Sequence, residues 1–299
     1  METPESMRRH LVHAAFERTN KNILVWSGAL FFLIMPIGPI GHHIVFFIVC
    51  CTYSVLTIYI LNDTESFKVK LIKSLIPLIY PIVFYFPIQI IFDDAQLSIP
   101  STAAYFLSVG FGILIYSVQS KYRLLPITLF AAITIFVSTK GYDLWLHKLN
   151  FGTYSGVVDE VITNVQLPND KGEKIVLTGY NDEIIVLDFW TTSCGYCFQK
   201  FPVFDQIRKE YADVNGRVKF FAVNVPISRD KTGEALQIAN GLPYGFSYLF
   251  SPNEDFARLL NVNIYPTVIL IKNGRILYRG DVEGVSSLIR KLSLNWNGD

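Results

Sequence analysis

The residues of this chain best suited to chemistry are two cysteines. In Val186–Pro202, VLDFWTTSCGYCFQKFP, an apolar run ends at Trp190, and Cys194 and Cys197 follow with Gly195 and Tyr196 between them. Such a pair can be a redox couple, part of a metal site or a structural staple. From Val157 onward the chain has no other cysteine and no histidine. A structural zinc site takes about four Cys or His ligands, so no metal is expected. Covalent haem attachment requires a histidine after the second cysteine, and Phe198 stands there. A purely structural disulfide stays open, although its short loop gains little chain entropy. The redox reading has a physical basis. Cys194 at the start of a helix meets free backbone N–H groups and the positive end of the helix dipole, which stabilise a thiolate nucleophile. Cys197, one turn further in, is placed to resolve a mixed disulfide. A base is then needed. Asp188 lies six residues before Cys194, and burial on a strand would raise its pKa toward neutrality. The alternative for Asp188 is a strand-end carboxylate bonded to backbone.

The elements that must position these groups are legible as pattern. EIIVLDFW is a continuous apolar run, as in a strand buried on both faces. Gln199–Ala212 reads as an amphipathic helix. VKFFAVNV and PTVILIK are further core strands, with helices over Lys231–Asn240, Asp255–Leu260 and Val285–Leu294 and a short strand at FSYLF. Asn273-Gly274 marks a hairpin into RILYRG, and Asn169–Gly172 a turn in the lead-in. Strands alternating with helices indicate an α/β layer fold over 157–299.

The amino-terminal half has another character. The 299-residue chain is 51% hydrophobic with a net charge of only +1, which is no footprint for nucleic acid. Five apolar segments stand out, near Ile23–Ile40, Ile44–Leu61, Leu71–Phe92, Ala103–Val118 and Leu124–Val137. Each approaches the ~20 residues needed to cross a bilayer, the last with help from its polar flanks. Their density of proline suits packed membrane helices better than soluble ones. This gives a multi-pass helical membrane domain over 1–140, in contact with lipid, and an interfacial linker over 141–156, of which Gly141–Asn150 reads as an interfacial helix or linker. Arg8, Arg9, Arg18, Lys21, Lys68, Lys70, Lys73, Lys121 and Arg123 flank alternate ends of the segments, and Gly41–His43 and Asp93–Pro100 contain no Lys or Arg. That bias predicts a cytoplasmic amino terminus and an extracytoplasmic carboxyl-terminal domain, where disulfides persist.

Asp188, Phe189, Trp190, Cys194, Gly195, Cys197 and Pro202, with Pro266 in NIYPTVIL downstream, resemble the thioredoxin superfamily. The extra segment Pro226–Ser251 and the β-rich lead-in resemble its TlpA/ResA-like membrane-anchored thiol-disulfide oxidoreductases, set in the bacterial inner membrane. The resemblance implies a cis Pro266 facing the cysteines, a Tyr265 backbone that pairs with substrate, and a substrate surface including Trp190, Gly195 and Tyr196. It implies exchange with protein thiols and disulfides, in cytochrome c maturation or redox homeostasis. No cofactor is implied beyond the Cys194–Cys197 couple, but an electron donor or acceptor is. Two positions depart from the pattern: Lys200 stands where many such reductases have Glu, and Tyr196 where many have Pro. A peroxiredoxin-like reading has Thr191 in its favour but meets Leu187 where a proline is expected.

Two other functions compete. The helices could transport or sense, with the outer domain as redox regulator; this expects intramembrane charge, and only Lys73, near a segment end, offers it. Cys50 and Cys51 could conduct electrons across the membrane, although adjacent helical residues diverge by about 100°. Both read more simply as packing residues. His42 and His43 read as loop residues without a partner, and Gly110-Phe111-Gly112 as a close helix contact.

Overall fold

The computed structural model describes residues 20–63, 65–163, 165–177, 183–211, 217–231 and 233–294. Arg8, Arg9 and Arg18 lie outside them. The chain divides between Asp143 and Leu144 into two compact units.

The first unit is helical. Helices α1 (Asn20–Ile37), α2 (His42–Leu61), α3 (Phe67–Ile91), α4 (Ala95–Ser117) and α5 (Ser120–Phe151, its residues from Leu144 onward belonging to the second unit) are each long and apolar enough to cross a membrane, by length and composition. The interfacial segment expected at 141–156, as helix or linker, is helical through Phe151 as the last turns of α5. A π-turn at Val137–Gly141 carries the backbone ladder past the polar residues that end the hydropathy signal. Helix α2 packs on α4 through small residues. A Cβ on Gly112 would sit 2.7 Å from Thr57 Cβ, whereas one on Gly110 would meet nothing within 4 Å, so only the second glycine makes the close contact. Ser54 and Ser108 each donate across this seam, to Ser108 O and Val49 O, at 3.3 Å. Tyr53 and Tyr105 meet edge-on at 4.6 Å in the core. Cys50 is buried and Cys51 exposed, both as free thiols, as their divergence on one helix requires. Lys73 is buried and lies 2.6 Å from Glu65, so this charge is neutralised at the helix entrance. The two histidines are not partnerless loop residues. They occupy the first turn of α2, with His42 stacked on Tyr142 at 6.2 Å and His43 edge-on to the same ring.

The second unit is an α/β domain. Its strands are β1 (Val157–Val161), β2 (Gln166–Pro168), β3 (Lys174–Val176), β4 (Ile184–Trp190), β5 (Val218–Asn224), β6 (Ser247–Phe250), β7 (Thr267–Lys272) and β8 (Arg275–Gly280). The six-stranded sheet has the order β1-β8-β7-β4-β5-β6, and β2–β3 form a separate hairpin. Central β4 runs parallel to β5 and antiparallel to β7. All seven residues of β4 are buried, which explains its unbroken apolar run. The β7–β8 turn uses Asn273 and Gly274, both at positive φ, as a tight hairpin demands. One sheet face is covered by α6 (Gly195–Tyr211) and α9 (Val282–Leu294), through Phe201, Phe204, Val285 and Ile289. The other is covered by the β2–β3 hairpin and α8 (Glu254–Leu259), through Leu167, Ala257 and Leu260. Helix α7 (Glu234–Gly241) lies in the segment joining β5 to β6. Thus Pro226–Ser251 supplies one helix and an edge strand.

Candidate active site

The site forms where β4 gives way to α6. Val225 N–H donates to Trp190 O at 2.8 Å and closes the strand. The chain then turns through Thr191–Ser193, with Cys194 N–H bonded to Thr191 O at 3.1 Å. Cys194 is the last residue before α6, which begins at Gly195 and so starts earlier than the amphipathic pattern indicates. Cys194 and Cys197 are joined by a disulfide with Cα atoms 5.3 Å apart. Cys197 N–H points at Cys194 Sγ at 3.1 Å. The same N–H also donates to Cys194 O at 3.0 Å, so the sulfur shares an amide of the first helical turn, the end of a helix that stabilises a thiolate. Cys194 is half-buried and Cys197 fully buried, so an incoming sulfur can reach only the first.

Asp188 lies on β4, the strand that leads into the site. Side chains alternate along β4: Ile185, Leu187 and Phe189 enter the core toward α8, while Val186 and Trp190 enter the core shared with Cys197. Asp188 falls on the latter face, flanked in register by Ala222 and Val268. It is fully buried, and neither carboxylate oxygen has a hydrogen-bond partner among the described residues. It is therefore not the backbone-bonded strand-end carboxylate of the alternative reading. Burial pushes its carboxyl well above the usual carboxylate range.

Trp190 is placed differently from the expected substrate-contacting residue. It is fully buried under Phe198, Phe201 and Tyr248, with ring centroids 5.8, 5.7 and 6.4 Å away. These rings seal the indole from a docked protein, and Trp190 forms the floor of the site. Gly195 and Tyr196 are exposed, Tyr196 by 56%. The Tyr265–Pro266 peptide is cis and opens β7. Tyr265 and Cys194 pack against the same core. Tyr196, from the turn between the two cysteines, lines a groove of about 280 Å³ together with Tyr265 and Pro266.

Three contacts escaped the sequence pattern. Thr192 donates to Asp230 Oδ1, and Asp230 Oδ2 accepts from Ile227 N–H at 3.1 Å, so the β5–β6 segment is tied to the loop before Cys194. Lys200 pairs with Glu283 at the start of α9 and lies 5.1 Å over the Tyr196 ring. The hydrogen bond to Glu283, and then contact with Tyr196, hold the Lys200 ammonium above its ordinary pKa. Phe151, at the end of α5, reaches the same groove. All are long-range or cross-element contacts, for which no spacing in the chain is diagnostic. Among the described residues no cluster of three or more His, Cys, Asp or Glu is gathered for a metal ion.

Residues 158–279 match the AhpC/TSA family. A thioredoxin-like protein of Haemophilus influenzae is 26% identical over 121 residues, 40% of this chain and 68% of that protein. The thioredoxin-like protein YneN of Bacillus subtilis is 29% identical over 103 residues, 33% of this chain and 56% of its own length. Among solved structures, a protein from Chlorobium tepidum described as a thiol:disulfide interchange protein DsbE is 29% identical, with a TM-score of 0.40 over 45% of this chain and 96% of that one. These matches lie in the carboxyl-terminal half: residues 158–279 form a thioredoxin-like domain that matches the AhpC/TSA family, with a Cys194–Cys197 disulfide at its site.

Proposed function

We propose that the protein is a membrane-bound thiol-disulfide oxidoreductase that exchanges disulfides with other proteins outside the cytoplasm. The observation that carries this reading is a half-exposed Cys194 sulfur at a helix amino terminus, disulfide-bonded to a buried Cys197. In the reducing direction both cysteines begin as thiols. Cys194 thiolate attacks one sulfur of the substrate disulfide, forming a mixed disulfide and expelling the other substrate sulfur as a thiolate, which takes up a proton. Asp188 accepts the Cys197 proton. The Cys197 thiolate then attacks Cys194 Sγ, closing Cys194–Cys197 and releasing the second substrate thiol. Two protein thiols become a disulfide and one substrate disulfide becomes two thiols. The reverse sequence oxidises a substrate dithiol, and the poise of the redox partner sets the direction.

The five apolar helices hold the domain at the membrane. The nine Lys and Arg residues at alternate segment ends favour a cytoplasmic amino terminus and an outer domain. Substrates are proteins with accessible cysteine pairs; apocytochromes awaiting haem, as the family resemblance implies, are one class. Tyr265 beside cis-Pro266 receives the substrate backbone. In detergent-solubilised full-length protein, Cys194→Ser abolishes reduction of insulin disulfides by dithiothreitol through this chain. Turnover by that variant at the wild-type rate would overturn the assignment.

A further inference from the structure

The groove lined by Tyr196, Tyr265 and Pro266 extends to residues outside the family match but within the same compact unit. Its lining includes Tyr196, Lys200, Tyr265 and Glu283, together with Asn150 and Phe151 from the end of α5. Those last two residues precede the family match, which starts at residue 158. Phe151 is almost completely buried and is held by His147, whose ring lies 4.7 Å away. His147 is itself fixed, with Nδ1 2.6 Å from Thr153 O. The end of α5 is therefore a rigid wall of the groove. Lys200, also in the lining, spans from Tyr196 to Glu283.

We infer that Asn150 and Phe151 are specificity-determining residues that receive the polypeptide flanking a substrate's cysteine. This rests on the reading of Cys194 as the attacking thiol. The geometry sets the substrate class. Tyr196, between the two cysteines in sequence, lines the groove, so the chain flanking a disulfide brought to Cys194 has this groove to extend into. At about 280 Å³ it falls just below the ~300–1,000 Å³ of small-molecule sites, yet accepts one bulky side chain with its backbone. Phe151 gives it an apolar floor, while Asn150, Lys200 and Glu283 give it a polar rim. The preferred occupant is an extended protein segment with a large apolar residue beside its cysteine. Small disulfides react at Cys194 without using this wall.

The test compares two disulfides on the full-length protein, with dithiothreitol as reductant: insulin, and bis(2-hydroxyethyl) disulfide. Phe151→Ala is expected to lower kcat/KM for insulin about tenfold, mainly through KM, from lost apolar contact. The rate with the small disulfide stays within about twofold of wild type, because that reaction needs only Cys194 and its activation. Phe151→Leu restores most of the insulin activity. Asn150→Trp, which fills the groove without removing core packing, gives the same selective loss. Equal loss on both substrates, or unchanged insulin kinetics in Phe151→Ala and Asn150→Trp, would overturn the inference while leaving the thiol chemistry intact. Failure of the wild-type protein to reduce either disulfide would sink both readings together.

Discussion

At the residue scale, Asp188 connects stability to reactivity. A carboxyl whose pKa is raised by folding binds its proton more tightly in the native state than in the unfolded one. Above the ordinary carboxylate pKa of about 4, the native state therefore loses stability as pH rises, until the folded pKa is passed. Asp188→Ala removes that slope. The variant should be more stable than wild type at neutral pH by about 1–3 kcal/mol, the cost of an unpartnered buried polar group, and the gain should shrink toward pH 4. Chemical denaturation of both proteins across this range checks it. Exchange should slow on the order of 10²-fold, because the proton on Cys197 loses its acceptor. A variant that is both less stable and fully active would contradict this account of Asp188. The residue was legible as a base because it interrupts an apolar run just before the cysteines. The resemblance puts Trp190 on the substrate surface, whereas the rings of Phe198 and Tyr248, from α6 and β6, pack on it and leave it fully buried.

At the element scale, the loop before Cys194 and the seam between α2 and α4 each make a prediction. Asp230 bonds both Thr192 and Ile227, anchoring the turn that delivers Cys194 to the amino end of α6. Asp230→Ala should raise the pH midpoint for Cys194 alkylation by about 0.5 unit, equivalent to ~0.7 kcal/mol of helix-terminus stabilisation. A midpoint unchanged from wild type would show that the tether does not hold the sulfur in place. In the helical unit, Gly112→Ile should destabilise the bundle by about 1–3 kcal/mol, as overpacking does, while Gly110→Ile should be tolerated. Thermal unfolding in detergent separates the two, and equal effects would refute the close approach at Gly112. The pattern of apolar strands and turn residues exposed the core strands and the Asn273-Gly274 hairpin, because those elements are specified locally. Gly141–Asn150 was legible as an interfacial helix or linker, but its continuity with the preceding apolar segment was not, since Gly141, Asp143 and Lys148 break the hydropathy without breaking the backbone ladder.

At the scale of the whole molecule, five apolar helices and a thioredoxin-like domain share one chain, and the proposed topology orders them across a membrane. A cysteine introduced at Gly172, an exposed turn residue of the carboxyl-terminal domain, should react with an impermeant maleimide added to intact cells, whereas one at Lys68 should not. Reversed labelling would place the domain in the cytoplasm. The central claim, that Cys194 attacks and Cys197 resolves, is tested most directly by trapping. Full-length protein with Cys50 and Cys51 changed to Ala and Cys197 to Ser is reduced, freed of reductant and mixed with insulin. The account predicts a covalent adduct that mass spectrometry maps to Cys194, that dithiothreitol dissolves, and that is absent when Cys194 is also changed to Ser. No adduct at Cys194, or an equal yield without it, would contradict the account.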